Sequence, residues 1–291
     1  MEENRNSRKK TLSKVIYYVL LSFFVLVFVF SAIYIADYMI EAEQTGEEYK
    51  NLQDQYAPPS RPPITEATEP SEETGVPSTE GTESTEPAAP TEPTEPSVLP
   101  ELRTFLEQNP ELVGWIRIED TDIHYPVVQS PTRPNYYLDH TFEGRSSERG
   151  AIYVREACDV FAPSDNITIY GHHMKAGNKY GTMFRDLDNY RKKDFWETHQ
   201  YVYFDNLYER HTYQVFAVFK TSGTYGEGYA YHLFDDAESE EDFNEFIATV
   251  KKMSYFDTGI TPQYGSKLIT LSTCEYTLEN GRLVVVAVRV A

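Results

Sequence analysis

The run Thr270-Leu271-Ser272-Thr273-Cys274 closes an apolar-led stretch that starts at Lys267, and Arg282 follows eight positions after the cysteine. Arg282 heads a second apolar run, Leu283–Val290, behind the turn pair Asn280-Gly281. Two strands so joined bring a thiol and a guanidinium into one cleft. That pairing suits thiolate attack on a carbonyl, because a fixed positive charge with directional N–H donors can hold the developing oxyanion. About a hundred residues upstream, Asn166–Tyr170 reads as a buried strand that runs into Gly171-His172-His173. Gly171 is expected to permit a tight exit, so that His172 projects from the strand end. A reactive thiol needs a nearby cation, and His172 and Arg282 are the two candidates.

Other residues of these types read differently. Cys158 lies in the polar segment Arg155-Glu156-Ala157-Cys158-Asp159, with no comparable partner around it. A Cys158–Cys274 disulfide is the structural alternative to a free nucleophile. A zinc site at His172 and His173 is disfavoured, because adjacent strand residues point to opposite faces and no further ligands have suitable spacing. His124, His140, His199, His211 and His232 lack such context. Arg289 differs from Arg282 in strand parity and is expected to face away.

The ends of the chain bear on compartment. Arg5, Arg8, Lys9, Lys10 and Lys14 precede Val15–Ala36, which carries no charge. About 22 such residues can cross a hydrocarbon core of roughly 30 Å. The basic flank predicts the N-terminus in the cytoplasm, and the run lacks the small-residue ending of a cleaved signal peptide. A net charge of -20 argues against a nucleic-acid binder, which needs a basic face.

Five segments are expected: a cytoplasmic tail (1–14), a signal-anchor helix (15–36), a polar stalk (37–56), a disordered Thr/Glu/Pro-rich spacer (57–97) and a catalytic domain (98–291). The repeats Thr68-Glu69-Pro70, Thr91-Glu92-Pro93 and Thr94-Glu95-Pro96 lie in a stretch without aromatics, which cannot bury enough apolar surface to order itself. Val98 is therefore taken as the start of a folding unit. Within it, strands are expected at Leu112–Ile118, Ile123–Gln129, Gly150–Arg155, Asn166–Tyr170, Gln200–Phe204, Thr212–Thr221, Lys267–Ser272 and Leu283–Val290. Helices are expected at Leu99–Gln108 and Ser239–Met253, with a loop or helix at Met183–Arg191. Some eight short strands with few helices predict a mainly β, closed, antiparallel-rich barrel.

TLSTC resembles the TLxTC signature of sortases, YGHHM resembles their histidine motif, and RLVVVAV resembles the strand that begins with their arginine. The similarity runs from about Leu99 to Ala291. LVGWIRI, YPVVQ and YYLDHTF, with the helix Ser239–Met253 before FDTG, are similar to class B members. The Asp-Pro-aromatic lid motif usual in class C, pilin-building members is not found.

The resemblance implies an eight-stranded sortase-type barrel and a membrane-anchored cysteine transpeptidase, extracellular in its catalytic domain. Cys274 would attack a C-terminal sorting signal of a surface protein and form a thioacyl-enzyme. An amine of peptidoglycan or its precursor would then resolve it. His172 would serve as general acid and base, and Arg282 would hold the oxyanion with the backbone N–H of Glu275. Ser272, Leu138 and Tyr229 or Tyr231 are candidates for contacting the signal. No metal or cofactor is required. Pilin polymerisation, simple hydrolysis and a noncatalytic surface-binding module are the alternatives. The order His before Cys argues against a papain-like peptidase.

Overall fold

The computed structural model describes residues 2–61, 97–174, 181–224 and 226–291, with side chains of the first segment from residue 14 onward. Most of the expected spacer (residues 62–96) lies outside the described residues. Eight strands close a barrel: β1 (Leu112–Arg117), β2 (His124–Val128), β3 (Ile152–Val154), β4 (Asn166–Tyr170), β5 (Tyr201–Asn206), β6 (Arg210–Ser222), β7 (Leu268–Glu275) and β8 (Gly281–Arg289). The order around the barrel is β1-β2-β3-β4-β7-β8-β6-β5. The pairs β2/β3 and β4/β7 are parallel, and the other six are antiparallel.

Alternating side chains divide the β7/β8 hairpin between two cores. Ile269, Leu271, Leu283, Val285 and Ala287 point inward and join the main core. Leu268, Val284, Val286 and Val288 point outward and are covered by helix α4 (Glu240–Met253) through Phe243, Phe246, Ile247 and Val250. The α4 helix forms where its apolar positions recur at helical spacing. The Ser239 hydroxyl accepts the Asp242 N–H at its start, and Lys251 and Lys252 lie in its last turn, where they complement the helix dipole.

Helix α1 (Glu2–Gln55) is continuous through the apolar run and beyond it. Among the described residues, one helix is thus long and apolar enough to cross a membrane, and its apolar window is unburied. The segment read as a polar stalk is not free. Thr45, Tyr49, Leu52 and Tyr56 are all buried against the barrel, because their spacing of four, three and four residues forms one helical stripe. The Tyr49 hydroxyl donates to the Gly150 carbonyl at 2.7 Å. Glu48 is paired with Arg145 and accepts the Glu143 N–H. The Tyr56 ring stacks on Trp115 with centroids 4.0 Å apart.

A boundary at Val98 therefore cuts away residues that pack into the domain. Chain on both sides of the Thr/Glu/Pro tract is held at the same end of the barrel. Arg61 pairs with Asp205 of β5 and donates to Thr212 of β6, while the Leu99 N–H donates to the Leu207 carbonyl in the β5–β6 turn. The spacing between the apolar run and the barrel is thus set by α1.

Candidate active site

Register places the three sequence-selected groups in one row. Cys274 and Arg282 are direct partners across β7 and β8. Both have the outward parity of Leu268 and Val284, so the site lies on the outer face of the barrel. It begins where the apolar layer under α4 ends. Thr221 of β6 is the next partner of Arg282 in the same row. On the other side, β4 runs parallel to β7 with Tyr170 opposite Ser272. Two positions further along brings His172 to the level of Cys274. The Gly171 N–H donates to the Ser272 carbonyl at 3.1 Å and keeps the exit of β4 against β7.

Gly171 is needed for space. A Cβ there would stand 2.5 Å from Ile152 Cδ1 and 2.7 Å from the Phe184 ring, and its φ is not among the positive values. The expected turn role gives way to close packing beneath the histidine.

His172 is half-buried, and its Nε2 lies 2.7 Å from the Leu138 carbonyl oxygen. That oxygen can only accept, so the ε nitrogen carries the proton in this arrangement. Leu138 ends the single-turn helix Tyr136–Leu138, and its side chain is exposed. Arg282 Nη1 donates to the carbonyls of Asn280 and Gly281 at 3.2 and 2.9 Å. Those bonds hold the guanidinium over the β7–β8 turn, where Asn280 takes a left-handed conformation.

The expected signal-contacting residues separate into two groups. Leu138 is open to solvent, and Tyr229 is half-buried, its ring against Phe219 and Phe246. Ser272 and Tyr231 are only 1% and 3% exposed. They share a hydrogen bond of 2.5 Å between their hydroxyls, so they form the floor under the row and offer no open surface. Glu275 is likewise buried, and its carboxylate accepts Arg191 and the N–H groups of Thr277 and Leu278. Only its main chain is left for the role expected of it.

Sequence reasoning missed the brace behind the row. Arg191 Nη2 lies 2.7 Å from Glu275 and 3.0 Å from Asp188. Asp188 in turn pairs with His173 Nε2 at 2.9 Å. The Tyr276 hydroxyl donates to the His173 carbonyl at 2.8 Å. The neighbours of Cys274 and His172 are thus cross-linked through one short helical segment, Arg185–Arg191. Burial alone would raise the carboxyls of Glu275 and Asp188. Their hydrogen bonds and the Arg191 charge outweigh it and hold both below the usual carboxylate range.

The two cysteines are separate and free. Cys158 is buried beside Asn166 and Thr168, at the far end of β4. Burial pushes its thiol up to about 12. The disulfide alternative is not met. Among the described residues, no group of three or more His, Cys, Asp or Glu is placed to hold a metal.

A closed eight-stranded barrel, with a histidine just past the end of β4 beside a cysteine on β7 and an arginine on β8, is the architecture of a sortase-type cysteine transpeptidase. The sortase domain family matches residues 116–290. Sortase B of Staphylococcus aureus is 33% identical over 192 residues, which cover 65% of this chain and 75% of that protein. The S. aureus sortase B–substrate complex superposes with a TM-score of 0.59 at 31% identity, covering 67% of this chain and 86% of that one. A sortase B complexed with triglycine gives 0.59 at 30%, with coverage of 67% and 88%. The chain belongs to the sortase family of cysteine transpeptidases, and its relatives are of class B.

Proposed function

We propose that this protein is a membrane-anchored class B-type transpeptidase that transfers surface proteins bearing a C-terminal sorting signal to an amine of the cell wall. Cys274 Sγ attacks the scissile carbonyl and forms a carbon–sulfur bond. The carbon–nitrogen bond breaks, and the leaving amine takes a proton from His172. The incoming amine returns a proton to His172 and displaces the thiolate from the thioester. Arg282 and the Glu275 N–H stabilise the oxyanion of both tetrahedral states. Leu138 and Tyr229 contact the signal, while Ser272 and Tyr231 set the floor beneath it. Helix α1 crosses the membrane with its basic end in the cytoplasm, so the barrel stands outside.

The observation that carries this reading is the row formed by His172 at the exit of β4, Cys274 on β7 and Arg282 on β8. The sortase B relatives solved with a substrate and with triglycine support a peptide donor and an amine acceptor. The test is a peptide-library cleavage assay with and without triglycine, followed by mass analysis of products. Transfer requires a triglycine-linked product that depends on Cys274. Hydrolysis alone at saturating triglycine sinks the transfer step.

A further inference from the structure

The docked half of α1 bears on which substrates the cleft can reach. Helix α1 is unbroken from the apolar run into its contacts with the barrel. Tyr49 stands thirteen helical positions beyond Ala36, about 20 Å along the axis at 1.5 Å per residue. Its hydroxyl bonds to the Gly150 carbonyl. Gly150 has φ +55° and lies so close to the Tyr136–Leu138 turn that a Cβ would stand 2.5 Å from the Leu138 carbonyl oxygen. That same oxygen holds His172. Three contacts therefore join the membrane helix to the histidine side of the cleft.

The helix holds the barrel along its length. Glu41 pairs with Ser147, Glu48 with Arg145, and Tyr56 with Trp115. Nearest the apolar run, a cleft of about 240 Å³ separates Tyr34, Asp37 and Tyr38 from Ser146–Glu148. Nothing along the docked helix offers a hinge, since residues 37–55 are helical throughout. A rigid strut of fixed length differs from a coil tether, whose reach spreads broadly about its mean.

We propose that α1 is a ruler: gripping the barrel at Gly150 about 20 Å along its axis beyond the apolar run, it holds the catalytic row at a fixed height above the bilayer. The enzyme thereby selects membrane-tethered substrates by the number of residues between scissile bond and membrane span. The proposal rests on the membrane-anchored transpeptidase reading above. Thr45, Glu48, Tyr49, Leu52 and Tyr56 are its positioning residues. A fully extended substrate segment covers at most about 3.3–3.6 Å per residue, so a fixed height imposes a minimum spacer length.

The experiment uses the full-length enzyme in lipid vesicles. The substrate is a reporter carrying the best peptide from the library assay, a Gly/Ser spacer of variable length and an apolar helix. Free peptide is assayed in parallel. A helical insertion of seven polar residues between Ala36 and Asp37 raises the barrel by about 10 Å. It is expected to lengthen the shortest cleaved spacer by about three residues, with free-peptide turnover unchanged. A Gly/Ser insertion of equal length is expected to blur the spacer dependence instead.

An unshifted shortest spacer in the helical variant overturns the ruler, as does wild-type cleavage that ignores spacer length. Loss of free-peptide turnover on helical insertion also overturns it, because the insertion point would then belong to the catalytic fold. Failure of the wild-type enzyme on free peptide strikes the transpeptidase reading itself.

Discussion

Glu275 is ion-paired with Arg191 at 2.7 Å although its carboxylate has no solvent exposure. Residue 275 follows the proposed nucleophile directly, so the strand end that carries Cys274 depends on a buried charge being met. Removing Arg191 leaves that charge with only the Thr277 and Leu278 N–H groups as partners, and losing the cation of a buried pair costs about 3 kcal/mol. Arg191→Ala should lower the thermal midpoint by several degrees in a calorimetric scan. A midpoint within one degree of wild type would show that the pair contributes nothing.

The same carboxylate sets a direction in pH. Its folded pKa is held below the ordinary value of 4.5, so the folded state binds its proton less readily than the unfolded chain. The resulting stabilisation is present above the unfolded value and lost as pH falls through the folded one. Asp188 acts in the same sense. Glu275→Gln should flatten the melting profile below about pH 4.5 relative to wild type. Parallel acid profiles for the two proteins would contradict this.

The cysteines should separate cleanly by chemistry. Cys274→Ala should abolish cleavage and transfer, and Cys158→Ala should leave both nearly intact. With its thiol pushed up to about 12 by burial, Cys158 is almost entirely protonated near pH 8. Iodoacetamide on the folded protein should give a single adduct, at Cys274, by peptide mapping. Equal activity loss in both alanine variants would move the nucleophile assignment.

Arg282 is expected to act through directional bonds as well as charge. Arg282→Lys keeps the charge and loses the planar fork. Loss of one oxyanion donor costs about 10²–10³ in rate. Single-turnover acylation should fall accordingly, with Arg282→Ala at least as impaired and both proteins melting like wild type. Arg289→Ala should be mild, since Arg289 is exposed and of opposite parity on β8. A larger defect at Arg289 would relocate the catalytic arginine.

A protein starting at Val98 should be measurably less stable than one starting at Asp37. Tyr49, Leu52 and Tyr56 are each at most 5% exposed, and burying one such side chain is worth about 1.5–3 kcal/mol. Ordering the helix offsets part of that. A net loss of about 3 kcal/mol lowers the melting point by on the order of 10 °C. Identical melting curves would show that the helix rests on the barrel without stabilising it.

The strands of the barrel were readable because Val, Ile, Tyr and Phe alternate along them, and the His, Cys and Arg motifs occupy their ends. The parallel pairing of β4 with β7 was not readable, since about a hundred residues separate them and no hairpin turn announces it. That pairing is what aligns His172 with Cys274. The docking of Thr45, Tyr49, Leu52 and Tyr56 had a helical stripe as its signal, masked by Glu41, Glu43, Glu47 and Glu48. The Arg191–Asp188 brace had no signal, because the pairing of charges in a short irregular helix depends on tertiary placement.

Both flanks of the Thr/Glu/Pro tract are bound to the barrel independently, Arg61 at β5 and β6 and Leu99 at the turn between them. A single protease cut between them would turn one polypeptide into a complex of two fragments. The N-terminal fragment would keep α1 and Arg61 docked on the barrel, and the C-terminal fragment would be the barrel. Such a nicked enzyme would run as two bands in detergent and as one species in native conditions. Under the membrane-anchored reading proposed above, release of the barrel would then follow a dissociation constant, with dilution in place of cleavage as the step that sets it free.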